Sequence, residues 1–168
     1  MSVASPAKKE SCIMSVTIGR ILFATDFSEP ARGAQQYAIT MAEKFSAELH
    51  ALHVVPEIIL PATDSYTVWT LPEGGMKAQL EAAERQLQKE IGSVVATRQV
   101  VVGFPIEEIM KYANDHDIDL IVVGTHGHTG LAHLLMGSVA EKLVRLSTCP
   151  VLMVHPKGHP FLVPKAPE

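Results

Sequence analysis

From Arg20 onward, short apolar runs alternate with stretches in which apolar residues recur every three or four positions. RILFAT (20–25) is an apolar run ending at Asp26-Phe27-Ser28, a strand followed by a turn. Ser28 is placed to cap a helix, and Pro30 fits the first turn of that helix, where no intrahelical N–H partner is needed. Ala34, Tyr37, Ala38, Met41, Ala42 and Phe45 then form one apolar stripe at helical spacing. ELHALHVV (48–55) reads as a second strand. A second helix shows Met76, Leu80, Ala83, Leu87 and Ile91 on one face, and TRQVVV (97–102) is a third strand. Pro105 opens a third helix, with Ile106, Ile109, Met110 and Ala113 inward. DLIVVG (119–124) is nearly continuous in apolar character, as a strand buried on both faces is. A last helix starts near Ser138 with Val139, Ala140, Leu143, Val144 and Leu146 available to face inward, and VLMVH (151–155) is a fifth strand. Such alternation predicts an α/β domain, a mostly parallel sheet with helices on both faces.

Three stretches break the pattern. Residues 1–16 mix Ser, Ala, Lys and Pro without period and read as a disordered leader, with Met14 a possible start. Residues 56–75 hold three prolines and a Gly pair and read as a long loop, a length that marks functional or mobile segments. The ordered domain is expected over 17–156, followed by an extended Pro-rich tail at 157–168.

Composition narrows the function classes. Of 168 residues 47% are hydrophobic, which excludes disorder of the whole chain. Fourteen basic against 18 acidic residues leave a net charge of −4, so there is no electrostatic footprint for nucleic acid or anionic membrane. Cys12 and Cys149 make no disulfide framework and read as two reduced thiols. No secretory signal is visible, and LIVV (120–123) falls far short of the roughly 20 apolar residues of a spanning helix. A cytoplasmic protein without membrane insertion is the expectation.

Ligands of open α/β sheets bind beyond the carboxyl ends of the strands, where the order of connections reverses. Asp26 stands past the first strand. Past the fourth comes Gly124-Thr125-His126-Gly127, nine residues, and then Gly137-Ser138 at a helix start. Glycines there permit close backbone approach, and a helix N-terminus adds positive potential, so phosphate suits the loop. Ser138-Val139-Ala140-Glu141 also reads as a capping box that needs no ligand, and both readings can hold together. His126, His128 and His133 lack a Cys or carboxylate to complete a tetrahedral set, so they read as hydrogen-bonding groups and no protein metal site is expected. His50 and His53 read as ordinary packed or edge residues. No G-x4-G-K-[ST] sequence supplies a lysine to the β/γ-phosphates.

ATDFSEPA (24–31), the spacing Gly124-x2-Gly127-x9-Gly137-Ser138 and the ending CPVLMV together resemble the universal stress protein family over roughly residues 17–156. The resemblance implies the nucleotide-binding branch of that family. It also implies an open five-stranded parallel sheet of order 3-2-1-4-5, adenine nucleotide alpha hydrolase-like, with ATP between the first and fourth strands. Carried onto this chain, Thr25 and Asp26 border the adenosine, with Asp26 near the ribose hydroxyls, and Val54 lies against adenine. Gly124, His126, Gly127, Gly137, Ser138 and Val139 surround ribose and phosphates, while Gly130 is no motif position. Mg²⁺ enters as counterion of the phosphates, and AMP or ADP are alternatives to ATP. Apart from the resemblance, Tyr66 and Trp69 of the long loop read as packing on the nucleotide or the other subunit, or as a plain surface anchor. The resemblance further implies a homodimer through strand 151–155. The function it implies is a nucleotide-dependent regulatory protein of the stress response, with no catalytic residue assigned. A slow ATPase on the same site and a homodimeric adaptor with incidental nucleotide are the two alternatives.

Overall fold

The structure, a computed structural model, describes residues 16–61, 66–69, 73–91, 97–125 and 137–155. The leader up to residue 15, with Cys12 and Met14, and the tail from 156 lie outside the described residues. So do His126, Gly127, His128, Gly130 and His133.

Five parallel strands build the main sheet: β1 (Arg20–Thr25), β2 (Glu48–Pro56), β5 (Thr97–Gly103), β6 (Leu120–Gly124) and β7 (Val151–Val154). Their order is β5-β2-β1-β6-β7, which counted along these five strands is 3-2-1-4-5. Register is continuous at the centre, where Ile21–Phe23 align with Leu49–Ala51 on one side and with Leu120–Val122 on the other. Side-chain alternation splits the core in two. Ile21 and Phe23 face α1 (Glu29–Phe45) and α2 (Glu73–Ile91), whereas Leu22 and Ala24 face α3 (Pro105–Asp115) and α4 (Ser138–Leu146). Ile21, Leu22, Phe23, Ile121 and Val122 are all but sealed from water, and each such side chain contributes roughly 1.5–3 kcal/mol of burial.

Local signals explain the joints. Ser28 caps α1, its Oγ accepting from the Ala31 N–H at 3.4 Å, and Pro30 sits in the first turn. Ser46 ends the helix in the left-handed region at φ 53°. Asp119, at the edge of β6, staples the sheet: one carboxylate oxygen accepts from the N–H groups of Gly19 (2.7 Å) and Arg20 (2.9 Å). That contact places a charged residue where the sequence reading began the fourth strand, and the strand starts one residue later.

Four expectations need correction. Residues 56–75 are not a plain loop: β3 (Ile58–Pro61) and β4 (Tyr66–Trp69) pair antiparallel, Ile58 opposite Trp69, as a separate two-stranded sheet. Segments of four residues are too short to show a period. Helix α2 begins at Glu73, ahead of the first apolar residue of its stripe. On α1 the sheet-facing residues are Ala31, Ala34, Ala38 and Ala42, while Tyr37 and Phe45 are each half exposed at the flank and the end of the helix. On α4 only Ala140 and Leu143 are buried, and Val144 and Leu146 point to solvent.

Below the sheet's amino end, His50 is buried against α3. Its Nδ1 pairs with the Tyr112 hydroxyl at 2.9 Å, and Tyr112 stacks on His116 with ring centroids 3.9 Å apart. Glu48 Oε1 stands 3.5 Å from Nε2, close enough for attraction but outside hydrogen-bonding geometry. Burial pushes the His50 pKa below its ordinary 6.5, Glu48 opposes this, and His116 and Arg20 push it further down. The fold therefore favours neutral His50, while the unfolded chain takes up a proton near pH 6.5. Stability from this group is complete above pH 6.5 and drains as pH falls below it, by at most about 1.4 kcal/mol per pH unit for one proton. Urea unfolding at pH 8, 7, 6 and 5 checks this. His50→Gln is expected to flatten the acid-side slope, and an unchanged slope would refute the assignment.

Candidate functional site

The chain runs from β1 to β2 and β5 on one side, then crosses to β6 and β7 on the other, so the connections leaving the carboxyl ends of β1 and β6 diverge over an open crevice. A cleft of about 380 Å³ occupies it. Its floor is the end of β1, Ala24 to Asp26, and the end of β6, Val123 to Thr125. Leu52, Val54 and Pro56 of β2 and Pro105 and Ile109 of α3 make an apolar wall, and Gly137 to Ala140 close the far side.

The turn after β1 is built by the side chains that enter the cleft. Thr25 Oγ1 accepts from the Phe27 N–H at 3.0 Å, and Asp26 Oδ1 accepts from the Ser28 N–H at 3.1 Å. These bonds hold Phe27 at φ 65°, a conformation bulky residues rarely adopt and one that costs roughly 1–2 kcal/mol. Phe27 is buried and stacks on His53, centroids 4.3 Å apart, and His53 Nδ1–H donates to the Thr25 carbonyl at 2.8 Å. Thr25 and Asp26 thus have a structural duty besides any contact with a ligand. A carboxylate offers about four acceptor positions, so the Ser28 bond does not exhaust Asp26.

On the far side, the Gly137 N–H donates to the Thr125 carbonyl at 2.7 Å, and the Thr125 N–H donates to the Val154 carbonyl at 3.1 Å. The two flanks of residues 126–136 are thereby tied together at the mouth of the cleft. Gly137 is the N-cap of α4, and Ser138 is its first helical residue. The capping-box reading of Ser138 is therefore wrong, because the capping position holds a residue with no side chain. The first amide to bond inside the helix is that of Glu141, to the Gly137 carbonyl. The amides of Ser138, Val139 and Ala140 precede it, as expected for the first turn of a helix, where an anion can meet them.

Gly124 has a reason that spacing did not reveal. A Cβ there would stand 2.9 Å from the Pro30 carbonyl carbon and 3.0 Å from the Ala31 nitrogen. The glycine lets the first turn of α1 rest on the end of β6.

Of the nine residues singled out from sequence, Thr25, Asp26, Val54, Gly124, Gly137, Ser138 and Val139 line this one cleft. His126 and Gly127 lie outside the described residues. Sequence reading missed His53, Thr125, Pro105 and Ile109 as cleft residues. For His53 the available signal was its place beside Val54 at the end of a strand. No group of three or more metal-ligating side chains occurs among the described residues, and no helix among them is long and apolar enough to cross a membrane.

Comparison with known proteins agrees with this arrangement. The model of the universal stress protein family matches residues 17–155. The universal stress protein MJ0531 of Methanocaldococcus jannaschii is 37% identical over 140 residues, covering 80% of this chain and 81% of that protein. MJ0577 of the same organism is 32% identical over 162 residues, 86% and 99% of the two chains. Its solved structure superposes with a TM-score of 0.66 at 29% identity, over 85% of this chain and 99% of that one. A universal stress protein solved in complex with cAMP superposes with a TM-score of 0.56 at 26% identity, over 83% and 99%.

Proposed function

Because this chain belongs to the universal stress protein family, we propose that its cleft binds ATP and that the protein acts as a nucleotide-dependent regulatory protein of the stress response. One observation carries the reading: a carboxylate, an apolar wall and a glycine-capped helix N-terminus converge on one cleft at the sheet's switch point. Each suits one part of the ligand. Val54, Pro105 and Ile109 offer apolar contact to a purine. Asp26 accepts from ribose hydroxyls, as an acidic residue does in related α/β sites. The first-turn amides of α4 meet phosphate oxygens, and Mg²⁺ accompanies the phosphates. By the family pattern, His126 and Gly127 join the phosphate contacts. The cAMP complex of the 26% identical relative supports an adenine nucleotide in this fold.

The described site offers no lysine or arginine to the phosphates, and efficient phosphoryl transfer needs positioned cations and a group that orients the nucleophile. This favours a slow switch over an ATPase. Among the described residues strand β7 is an edge of the main sheet, and that edge suits the same strand of a second copy. A homodimer is therefore part of the proposal.

The test is to denature freshly purified protein, identify released nucleotide by chromatography, and titrate stripped protein with ATP–Mg²⁺ by calorimetry. Intact ATP near one per chain is expected, from a preparation that light scattering measures at twice the chain mass. Release of ADP alone would move the reading to the hydrolase. Absence of both nucleotide and calorimetric signal would refute it.

A further inference from the structure

Beside the cleft, α3 and α4 frame a second depression of about 740 Å³. Phe104, Ile106 and Met110 form one wall, Leu146 with Lys142 and Arg145 the other. Phe104 and Leu146 keep 40% and 55% of their surface open. An open apolar groove with a charged rim marks a place where a chain segment or partner packs.

The path of the chain points to its occupant. The Val154 carbonyl accepts from Thr125, whose own carbonyl accepts from Gly137, so His155 leaves the sheet two hydrogen bonds from the first turn of α4. The sequence then reads PKGHPFLVPKAPE, in which Phe161-Leu162-Val163 is the apolar cluster, set between Pro160 and Pro164. Phe161 lies six residues past His155, a reach of up to about 20 Å at 3.3–3.6 Å per residue. Helix α4, nine residues long, spans only about 13 Å at 1.5 Å per residue. Phe161 thus reaches the amino-terminal half of the groove's α4 wall, and Leu162 and Val163 extend the reach by about 7 Å.

We infer that Phe161-Leu162-Val163 docks in the groove between α3 and α4, strapping the carboxyl-terminal segment across the two helices. Pro105, Ser138 and Val139 belong to both depressions, so the strap braces the wall of the neighbouring cleft.

Trypsin reads the docking directly, since Lys157 and Lys165 bracket the triplet. In the full chain, cleavage after these lysines is expected to run about tenfold slower than in Leu146→Glu, whose exposed position leaves Ala140 and Leu143 in the core. A triple change of Phe161, Leu162 and Val163 to serine is expected to raise amine labelling of Lys142 by a similar factor, with an unchanged thermal midpoint. Should Leu146→Glu fail to fold, the serine variant decides alone. Equal cleavage and labelling in all forms would overturn the inference. Protection that vanishes on dilution would overturn it too, assigning the groove to a second copy.

Discussion

Replacing Asp26 by asparagine is expected to weaken ATP binding about tenfold, the difference between a charge-assisted and a neutral hydrogen bond to the ribose. Asparagine keeps a carbonyl oxygen where Oδ1 accepts from the Ser28 N–H, so the turn that holds Phe27 survives and the thermal midpoint stays near that of the parent. Alanine removes both contacts. Its loss of affinity is expected to approach about 100-fold, accompanied by a measurable loss of stability as the left-handed Phe27 loses a support. Calorimetry of the two variants beside thermal melts separates the roles. If the asparagine protein binds as tightly as the parent, Asp26 serves the turn alone and the ribose assignment fails.

Two glycines of similar appearance in sequence are expected to respond with opposite signs. Gly124→Ala drives a Cβ into the backbone of Pro30 and Ala31, which cannot yield as a side chain would, and is expected to cost about 1–3 kcal/mol. In a chain of this size that lowers the melting temperature by about 2–4 °C for each kcal/mol. Gly33, inside α1, has nothing within 4 Å of an added Cβ. Gly33→Ala is expected to gain up to about 1 kcal/mol, because alanine loses less backbone freedom in a helix. Denaturant melts of both variants check the pair. A neutral Gly124→Ala would mean that α1 does not rest on β6 as described.

Strand and helix order was legible because each main-sheet strand is buried on a face and each helix carries a stripe, so period alone separates them. The cap at Ser28 and the proline after it were legible for the same local reason. What stayed hidden depends on contacts between distant segments. Tyr37 and Phe45 sit at helical spacing with the buried alanines, yet only the sheet's extent decides which rows it covers. The pairing of Ile58 with Trp69 joins two runs of four residues, neither periodic. The capping position at Gly137 is set by its bond to Thr125, a partner twelve residues back. For the cleft, the family resemblance pointed to seven residues that do converge, but it assigned Gly124 to a ligand when packing already demands it. His53 passed as an ordinary strand residue because its bond to the Thr25 carbonyl exists only once β1 and β2 are in register.

The row Ala31, Ala34, Ala38 and Ala42 makes the seam between α1 and the sheet unlike the seam under α3 and α4, where Ile109, Tyr112 and Leu143 interlock. A seam of methyl groups has little left to lose by truncation, so its natural variation is confined to enlargement, and any enlargement lifts the helix. The opposite seam can shrink by degrees and repack. The α1 seam is therefore a fixed footing and the opposite side an adjustable one. The adjustable side is the one that walls the cleft, so selection can retune what the cleft holds without disturbing what it stands on.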